Sequence, residues 1–140
     1  MNKDLTHYIH HLKDFIPVEL CNKLLQELRY IQYEEHTFYN PNTTNAKPRS
    51  GSQELKVSFA NTPSKKELQD KLWHAIKDYQ NKYKLPWFDS WQGYSSVRFN
   101  KYSENKKMAL HCDHIQSLFD GKKKGIPILS MLGGLNNDYE

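Results

Sequence analysis

The scarcity of large apolar side chains is the feature that most constrains the fold of this chain. Leucine, isoleucine, valine and phenylalanine together account for 31 of its 140 residues. This share, roughly 22%, is just above the level that indicates disorder. No apolar run approaches the length of about 18 residues that a membrane-spanning helix needs. We therefore expect one small folded domain over residues 1–140, with a thin core and no membrane as a partner.

Charge and cysteine content bear on the kind of partner and on the cellular compartment. The chain has 20 lysines and arginines against 16 acidic residues, a modest net charge of +4, which is weak support for an anionic partner. Its two cysteines, Cys21 and Cys112, form no disulfide framework, and no apolar leader segment follows Met1. We expect a cytoplasmic protein in a reducing compartment.

Apolar spacing predicts two helices in the first two thirds of the chain. Leucines recur at helical intervals within residues 16–28, and Pro17 stands where a first-turn proline is tolerated. A second helix is predicted to open at Thr62, its expected N-cap, and to end before Pro86. Between the helices, the polar residues 40–52 predict a long loop, which we interpret as a candidate substrate lid.

Four strands are predicted, and three of them lie in the last third of the chain. Alternation of apolar and polar residues predicts strands over residues 55–59 and 94–102, and a third is predicted over 107–113. Residues 126–132 are almost continuously apolar, as in a strand that is buried on both faces. Helices that come first and strands that cluster late indicate an α+β fold, with a sheet at the core and helices packed outside it.

The densest group of candidate metal ligands lies in the third of these strands, at His111 and Asp113. Side chains two residues apart along a strand point to the same face, so this imidazole and this carboxylate would project together. They supply two of the three ligands of the 2-His-1-carboxylate arrangement that binds Fe(II) in oxygenases. This spacing also arises by chance, so the alternative is a surface histidine beside a solvated acid.

The segments around this pair follow an ordered pattern. They are VRFNKY at residues 97–102 before the pair, ILSML at 128–132 after it, and LNNDY at 135–139. Over this region the chain resembles the prolyl-4-hydroxylase-like branch of the Fe(II)- and 2-oxoglutarate-dependent oxygenases. The resemblance implies a double-stranded β-helix (jelly roll) core, with the N-terminal helices packed on its sheet.

By this resemblance, His111 and Asp113 are iron ligands, while Tyr102 and Ser130 line the cosubstrate pocket. Tyr102 matches a tyrosine whose phenol can donate to a carboxylate of 2-oxoglutarate. The alternative for Tyr102 is a core tyrosine, and the alternative for Ser130 is a small buried residue bonded to the backbone. The implied cofactors are Fe(II), 2-oxoglutarate as cosubstrate, and ascorbate as a further candidate. The implied reaction is hydroxylation of a peptidyl proline with release of succinate and CO2.

The chain also departs from the family pattern. Met108 stands where relatives often place a tyrosine, and Gly133 and Gly134 replace bulky residues, so the pocket is expected to be wider or to hold the cosubstrate through other groups. Relatives continue beyond the position of Glu140 to a second histidine and to a basic residue that anchors 2-oxoglutarate. We therefore expect the jelly roll to be incomplete at its C-terminus.

Two alternatives belong to other functional classes. One is a catalytically silent binding module that keeps the oxygenase fold. The other is a basic, aromatic-rich domain that stacks nucleic-acid bases on residues such as Trp73, Trp87 and Trp91. Basic residues are spread along the chain and matched by acidic ones, so no electrostatic footprint for nucleic acid is evident. A proline-containing peptide or protein is the expected partner.

Overall fold

The computed structural model describes residues 4–36, 55–86, 88, 93–108, 111 and 127–137. In chain order its elements are a short 3-10 helix (Leu5–Tyr8), helix α1 (Val18–Glu27), strands β1 (Glu34–Glu35) and β2 (Lys56–Ser58), helix α2 (Lys65–Tyr83) and strand β3 (Phe99–Lys101). The chain divides into two compact units. The helical unit comprises the described residues of Met1–Leu28, Thr62–Tyr94 and Met131–Glu140, and the sheet unit comprises those of Arg29–Asn61 and Ser95–Ser130.

Helix α1 confirms the prediction from apolar spacing. It occupies Val18–Glu27, with Pro17 at its N-cap, where the N–H that proline lacks has no helical partner to lose. The carbonyl of Pro17 accepts hydrogen bonds from the N–H groups of Leu20 and Cys21, both at 3.0 Å. Leu20 and Leu24 stand one turn apart and are buried, so they form the core face of the helix.

Helix α2 begins later than predicted. It occupies Lys65–Tyr83, and Ser64 rather than Thr62 stands at its N-cap. The Thr62 carbonyl accepts the N–H of Lys65 in a turn, at 3.1 Å, whereas the carbonyl of Ser64 accepts the helical hydrogen bond from the N–H of Leu68. The prediction of Thr62 as the cap was wrong because a turn separates this residue from the helix.

The rest of α2 follows its apolar pattern and ends before Pro86, as predicted. Leu68 and Ala75, two turns apart, are both buried. The C-cap is Lys84, whose φ of 45° lies in the left-handed region, which costs an L-residue about 1 kcal/mol. Its N–H donates to the carbonyl of Gln80 at 2.8 Å. A lysine thus ends the helix at a position that favours glycine.

A single carboxylate joins α1 to the start of α2. Glu27, the last residue of α1, accepts hydrogen bonds from the N–H of Ser64 at 3.1 Å and from its hydroxyl at 2.7 Å. Burial raises the pKa of the Glu27 carboxyl, but the hydrogen bonds from Ser64, together with smaller contributions from Thr62 and Lys23, leave the pKa below its ordinary value. Because Ser64 makes no cap bond with its own helix, Glu27 caps α2 from another helix.

The N-terminal segment packs on the last turns of α2. The hydroxyl of Tyr79 donates to the carbonyl of Tyr8 at 2.9 Å, and the rings of Tyr8 and Tyr83 lie 6.0 Å apart. Nζ of Lys82 lies 3.0 Å from Nδ1 of His10, so the lysine donates and the imidazole accepts. The helical unit is therefore held together by aromatic and polar contacts as well as by its leucines.

The sheet is antiparallel and has β2 at its centre. Strands β2 and β3 lie within the predicted ranges 55–59 and 94–102, whereas β1 was not predicted. Three apolar side chains of this unit are buried, namely Leu55, Val57 and Phe99. By the strand register, Leu55 and Val57 lie on one face of the sheet and Phe99 lies on the other, so both faces bury apolar side chains.

Two further strand predictions are wrong where the structure describes the residues. Residues 107, 108 and 111 lie outside any strand, and so do residues 127–132. Leu132, predicted to be buried, is 87% exposed. An apolar run becomes a buried strand only where other strands pair with its backbone, and no described strand pairs with 127–132.

The overall fold class stays a prediction. The described residues form helices and an antiparallel sheet, which neither establish nor exclude a jelly roll with helices packed on it. The single domain over residues 1–140 stays a prediction as well, and the predicted loop 40–52 lies outside the described residues. Among the described helices, none has both the length and the apolar character needed to cross a bilayer.

Candidate functional site

The register of the three strands sorts their side chains onto two faces. Paired residues form rows across the sheet, and two neighbouring rows are Glu34–Val57–Asn100 and Glu35–Lys56–Lys101. Because side chains alternate along a strand, these rows point to opposite faces. We call the two surfaces the Val57 face and the Lys56 face, and residues two positions away along a strand share the face of their row.

The Lys56 face carries two lysines directly opposite each other. Lys56 and Lys101 are cross-strand partners, an arrangement that costs free energy because like charges repel. Lys56 forms an ion pair with Glu35 at 3.5 Å, and the ammonium group of Lys101 lies 5.4 Å from the centre of the Tyr33 ring. Burial raises the pKa of the Tyr33 phenol, which favours its neutral form. Each lysine therefore has a compensating partner on its own face.

A basic bridge crosses the Val57 face. Arg98 stands two residues before Asn100, and His36 two residues after Glu34, so both side chains share the face of Val57. Nη1 of Arg98 lies 3.5 Å from Nε2 of His36. Arg98 adjoins β3 and His36 adjoins β1, which are the two edge strands of the sheet. The contact therefore spans the sheet across the buried Val57 on its central strand.

The surroundings of His36 orient its imidazole. Its Nδ1 is buried, and its backbone N–H donates to the carbonyl of Leu55 at 3.2 Å, which leaves Nε2 facing the exposed Arg98. A separation of 3.5 Å is long for a hydrogen bond between two nitrogens. Because arginine has no acceptor, Arg98 donates in this contact and Nε2 of His36 accepts.

Tyr102, predicted from the family resemblance to bind the cosubstrate, also lies on the Val57 face. It directly follows β3 and stands two residues after Asn100. Tyr102 is 47% exposed, so the alternative of a core tyrosine is wrong. Its role in binding a carboxylate stays a prediction.

The structure describes two of the other three predicted site residues. His111 is exposed, and Asp113 lies outside the described residues. Ser130 is exposed as well, so the alternative of a small buried residue is wrong for it. Tyr102, His111 and Ser130 all belong to the sheet unit. Their assembly into one pocket stays a prediction.

The chemistry of the predicted metal ligands suits ferrous iron. An imidazole and a carboxylate are ligands that Fe(II) accepts, and His111 is exposed. In the part of the chain that the structure describes, which excludes Asp113, no three histidine, cysteine or acidic side chains are placed to hold a metal. The donors therefore fit the metal by type, while the geometry of the site stays a prediction.

Sequence reasoning missed the pair formed by His36 and Arg98. The two residues are 62 positions apart, and although Arg98 lies in the VRFNKY segment, that motif does not relate it to His36. Their meeting depends on β1, which is only two residues long and consists of glutamates. Nothing in the amino-acid pattern predicts a strand there, so the register that joins the two side chains could not be deduced.

The tryptophans considered for base stacking are only partly described. Trp73 is half-buried in the helical unit and contacts the ring of Tyr94 edge-on, with the centroids 5.3 Å apart. Trp87 and Trp91 lie outside the described residues. This contact packs Trp73 within the helical unit, and a role of the tryptophans in base stacking stays a prediction.

Comparison with known proteins does not assign the chain to a family. No protein-family model matches it, and no curated protein or solved structure is significantly similar to it. The family resemblance therefore depends on the motif segments of residues 97–139.

Proposed function

We propose that this protein is an Fe(II)- and 2-oxoglutarate-dependent dioxygenase that hydroxylates a peptidyl proline. The order of the motif residues supports the proposal, from Tyr102 through His111 and Asp113 to Ser130. The structural observation that carries it is the position of Tyr102, which directly follows β3 and is half exposed. A jelly-roll core and a cytoplasmic location belong to the same proposal.

Each residue has a defined part in this proposal. A ring nitrogen of His111 and the carboxylate of Asp113 would hold Fe(II), with the imidazole deprotonated as a metal ligand must be. The hydroxyl of Tyr102 would donate to a carboxylate of 2-oxoglutarate and orient it, while Ser130 would line the same pocket. Fe(II) bound there, with 2-oxoglutarate and O2 as cosubstrates and ascorbate as a reductant, would supply the oxidising chemistry that places one oxygen atom of O2 in the hydroxylated peptide and the other in succinate, with release of CO2.

Succinate formation tests the proposal directly. Protein loaded with Fe(II) in the absence of air, and then given 2-oxoglutarate, oxygen and a proline-containing peptide, should release succinate and hydroxylated peptide in equal amounts. His111→Ala should reduce both products to background, because it removes a protein ligand of the metal. His11→Ala is the matched control, since it removes an exposed histidine of the helical unit and should leave the rate unchanged.

The outcomes separate the proposal from its alternatives. Equal rates in the wild type and in His111→Ala would overturn the assignment of His111. Binding of Fe(II) and 2-oxoglutarate without succinate formation would favour the catalytically silent binding module. Absence of both binding and turnover would exclude the oxygenase chemistry for this chain.

The role of Tyr102 has its own kinetic signature. Tyr102→Phe removes the hydroxyl and keeps the ring, so the KM for 2-oxoglutarate should rise about tenfold, as expected for loss of one hydrogen bond to a charged group. The value of kcat should change little, because the hydrogen bond is made in both the ground state and the transition state. A variant with unchanged KM would remove Tyr102 from the cosubstrate site.

A further inference from the structure

We propose that residues 4–10, which pack on the last turns of α2, form a pH-sensitive strap that leaves the helix when His10 gains a proton. The short helix of this strap buries no residue, and both Leu5 and Ile9 are exposed. Burial of aliphatic side chains therefore does not hold the strap, whose attachment depends on aromatic and polar contacts. Every residue in these contacts belongs to the helical unit, so the proposal is independent of the oxygenase site.

The contact with Lys82 requires a neutral imidazole at His10. Nζ of Lys82 lies 3.0 Å from Nδ1 of His10, and only a neutral imidazole has a lone pair that can accept from an ammonium group. A proton on His10 removes this acceptor and places two positive charges side by side, which repel each other. Protonation therefore turns an attractive contact of the strap into a repulsive one.

The other groups around His10 do not offset this repulsion. The rings of Tyr79 and Tyr83 face it, each with its centroid 6.4 Å from that of the imidazole. Among the described residues, no acidic side chain forms an ion pair with His10. The C-terminal end of a helix favours a positive charge, but Lys82 and Lys84 already supply two at this end of α2.

His7, on the same strap, has the opposite electrostatic surroundings. Its imidazole meets the ring of Tyr83 edge-on, with the centroids 5.5 Å apart. Hydrogen bonds from Thr6 and, to a smaller extent, the charge of nearby His7 lower the pKa of the Asp4 carboxyl. A proton on His7 is therefore attracted to Asp4, whereas a proton on His10 is repelled by a lysine. We assign the pH sensitivity of the strap to His10 alone.

The lysine cannot withdraw from His10 without a further loss. Nζ of Lys82 lies 5.1 Å from the centre of the Tyr83 ring, a cation–π contact that a retreating side chain gives up. The same ring lies 6.0 Å from that of Tyr8, whose carbonyl accepts the hydroxyl of Tyr79 at 2.9 Å. The contacts of the strap thus converge on two turns of α2, so a disturbance at His10 weakens the attachment as a whole.

Linkage fixes the direction of the effect. The attached strap disfavours a protonated His10, so the released strap binds the proton more readily and attachment weakens as the pH falls. Histidine changes its charge between about pH 5 and 8, whereas Asp4 stays ionised over this range because its pKa is lowered. Exposed charges interact weakly, so the ratio of attached to released strap should fall about two- to fivefold. Release uncovers the rings of Tyr79 and Tyr83.

Hydrogen exchange of the strap tests the proposal. The N–H groups of His7 and Ile9 donate to the carbonyls of Asp4 and Thr6 within its single helical turn. One such turn is not stable alone, so protection of these N–H groups reports attachment to α2. Exchange rates measured by NMR at about pH 5 and about pH 8 are divided by the intrinsic rate at each pH. In the wild type, the resulting protection should fall about two- to fivefold on acidification.

Variants of the pair separate a charge effect from a loss of packing. Lys82→Glu should reverse the pH dependence, because a protonated His10 then meets a carboxylate. Lys82→Gln, which removes only the charge, should reduce it. His10→Gln cannot gain a proton and should give protection that does not depend on pH. His7→Gln is the matched control, since it removes an imidazole from the same strap and should leave the pH dependence in place.

Three results would overturn the proposal. Protection that is the same at both pH values in the wild type would show that the strap does not respond to protonation. Equal pH dependence in the wild type and in His10→Gln would assign the response to another group. Undiminished loss of protection on acidification in Lys82→Glu and in Lys82→Gln would reject repulsion from the lysine as its cause.

Discussion

The helical unit and the sheet unit of this chain use their side chains in different ways. In the helical unit, Leu20 and Leu24 are buried in the core, and the carboxylate of Glu27 is used up in capping Ser64. In the sheet unit, long polar side chains reach across both faces, and Arg98 crosses the Val57 face to His36. Side chains that are consumed in packing cannot bind a ligand. We therefore expect substitutions in the leucine core of the helical unit to have large effects on stability, while the described residues of the proposed oxygenase site, Tyr102, His111 and Ser130, belong to the sheet unit.

The largest effect is expected in the core of the helical unit. Leu24 is 0% exposed, so Leu24→Ala should lower the free energy of unfolding by about 2–5 kcal/mol through lost burial and an internal cavity. Val18→Ala, at an exposed position of the same helix, should change it by less than about 0.5 kcal/mol. Urea denaturation followed by circular dichroism measures both. Equal effects would contradict the assignment of stability to this leucine core.

The second-largest change in the free energy of unfolding is expected for Glu27, which caps α2. Glu27→Ala should cost about 1 kcal/mol, as for loss of an N-cap side chain. The pKa of Glu27 is lower in the folded than in the unfolded protein. The carboxylate therefore stabilises the fold fully at a pH above its ordinary pKa, and this stabilisation is lost as the pH falls through the pKa of the folded state. Glu27→Gln keeps one acceptor oxygen and should remove this pH dependence.

The control for Glu27 is an exposed acid on the same helix. Glu19→Gln, in the first turn of α1, should leave the acid-induced loss of stability in place. Urea midpoints measured from neutral to acidic pH compare the variants. If Glu27→Gln and the wild type lose stability in parallel, the hydrogen bonds to Ser64 do not control the pH dependence.

A smaller change, this time an increase in the free energy of unfolding, is expected from a substitution at the C-terminal end of α2. Lys84 has a positive φ of 45°, so Lys84→Gly should stabilise the protein by about 0.5–1 kcal/mol through relief of left-handed strain. Lys77→Gly, at an exposed position inside the same helix, should destabilise it by about 1 kcal/mol. Thermal unfolding shows whether each of the two variants is more or less stable than the wild type. A destabilising Lys84→Gly would show that strain at this residue is not significant.

The smallest change in the free energy of unfolding is expected from a substitution on the surface of the sheet unit. Lys56→Gln breaks the ion pair with Glu35, which is well exposed, but it also relieves the repulsion from Lys101, so the free energy of unfolding should change by less than about 0.5 kcal/mol. Lys66→Gln breaks the ion pair with Asp70 within α2 and serves as the comparison. A cost above about 1 kcal/mol for Lys56→Gln would show that surface charges stabilise the sheet more than this comparison assumes.

Local patterns predicted the elements that depend on a few neighbouring residues. The leucines of α1 and the apolar stripe of α2 placed both helices, because a helix closes its hydrogen bonds within one turn. Alternation placed β2 and β3 for a similar reason. Residues 127–132 show where this reasoning fails. Their apolar character predicted burial, but burial depends on which other strands pair with them.

Amino-acid order alone therefore indicated the approximate positions of α1, α2, β2 and β3, and it pointed to Tyr102 and His111 through a family motif. The contacts that give this chain its surface chemistry were settled only by tertiary structure. Glu27 meets Ser64 across 37 positions of sequence, and Arg98 meets His36 across 62. No local periodicity relates such residues, because the strand register and the packing of helices bring them together only after the chain has folded.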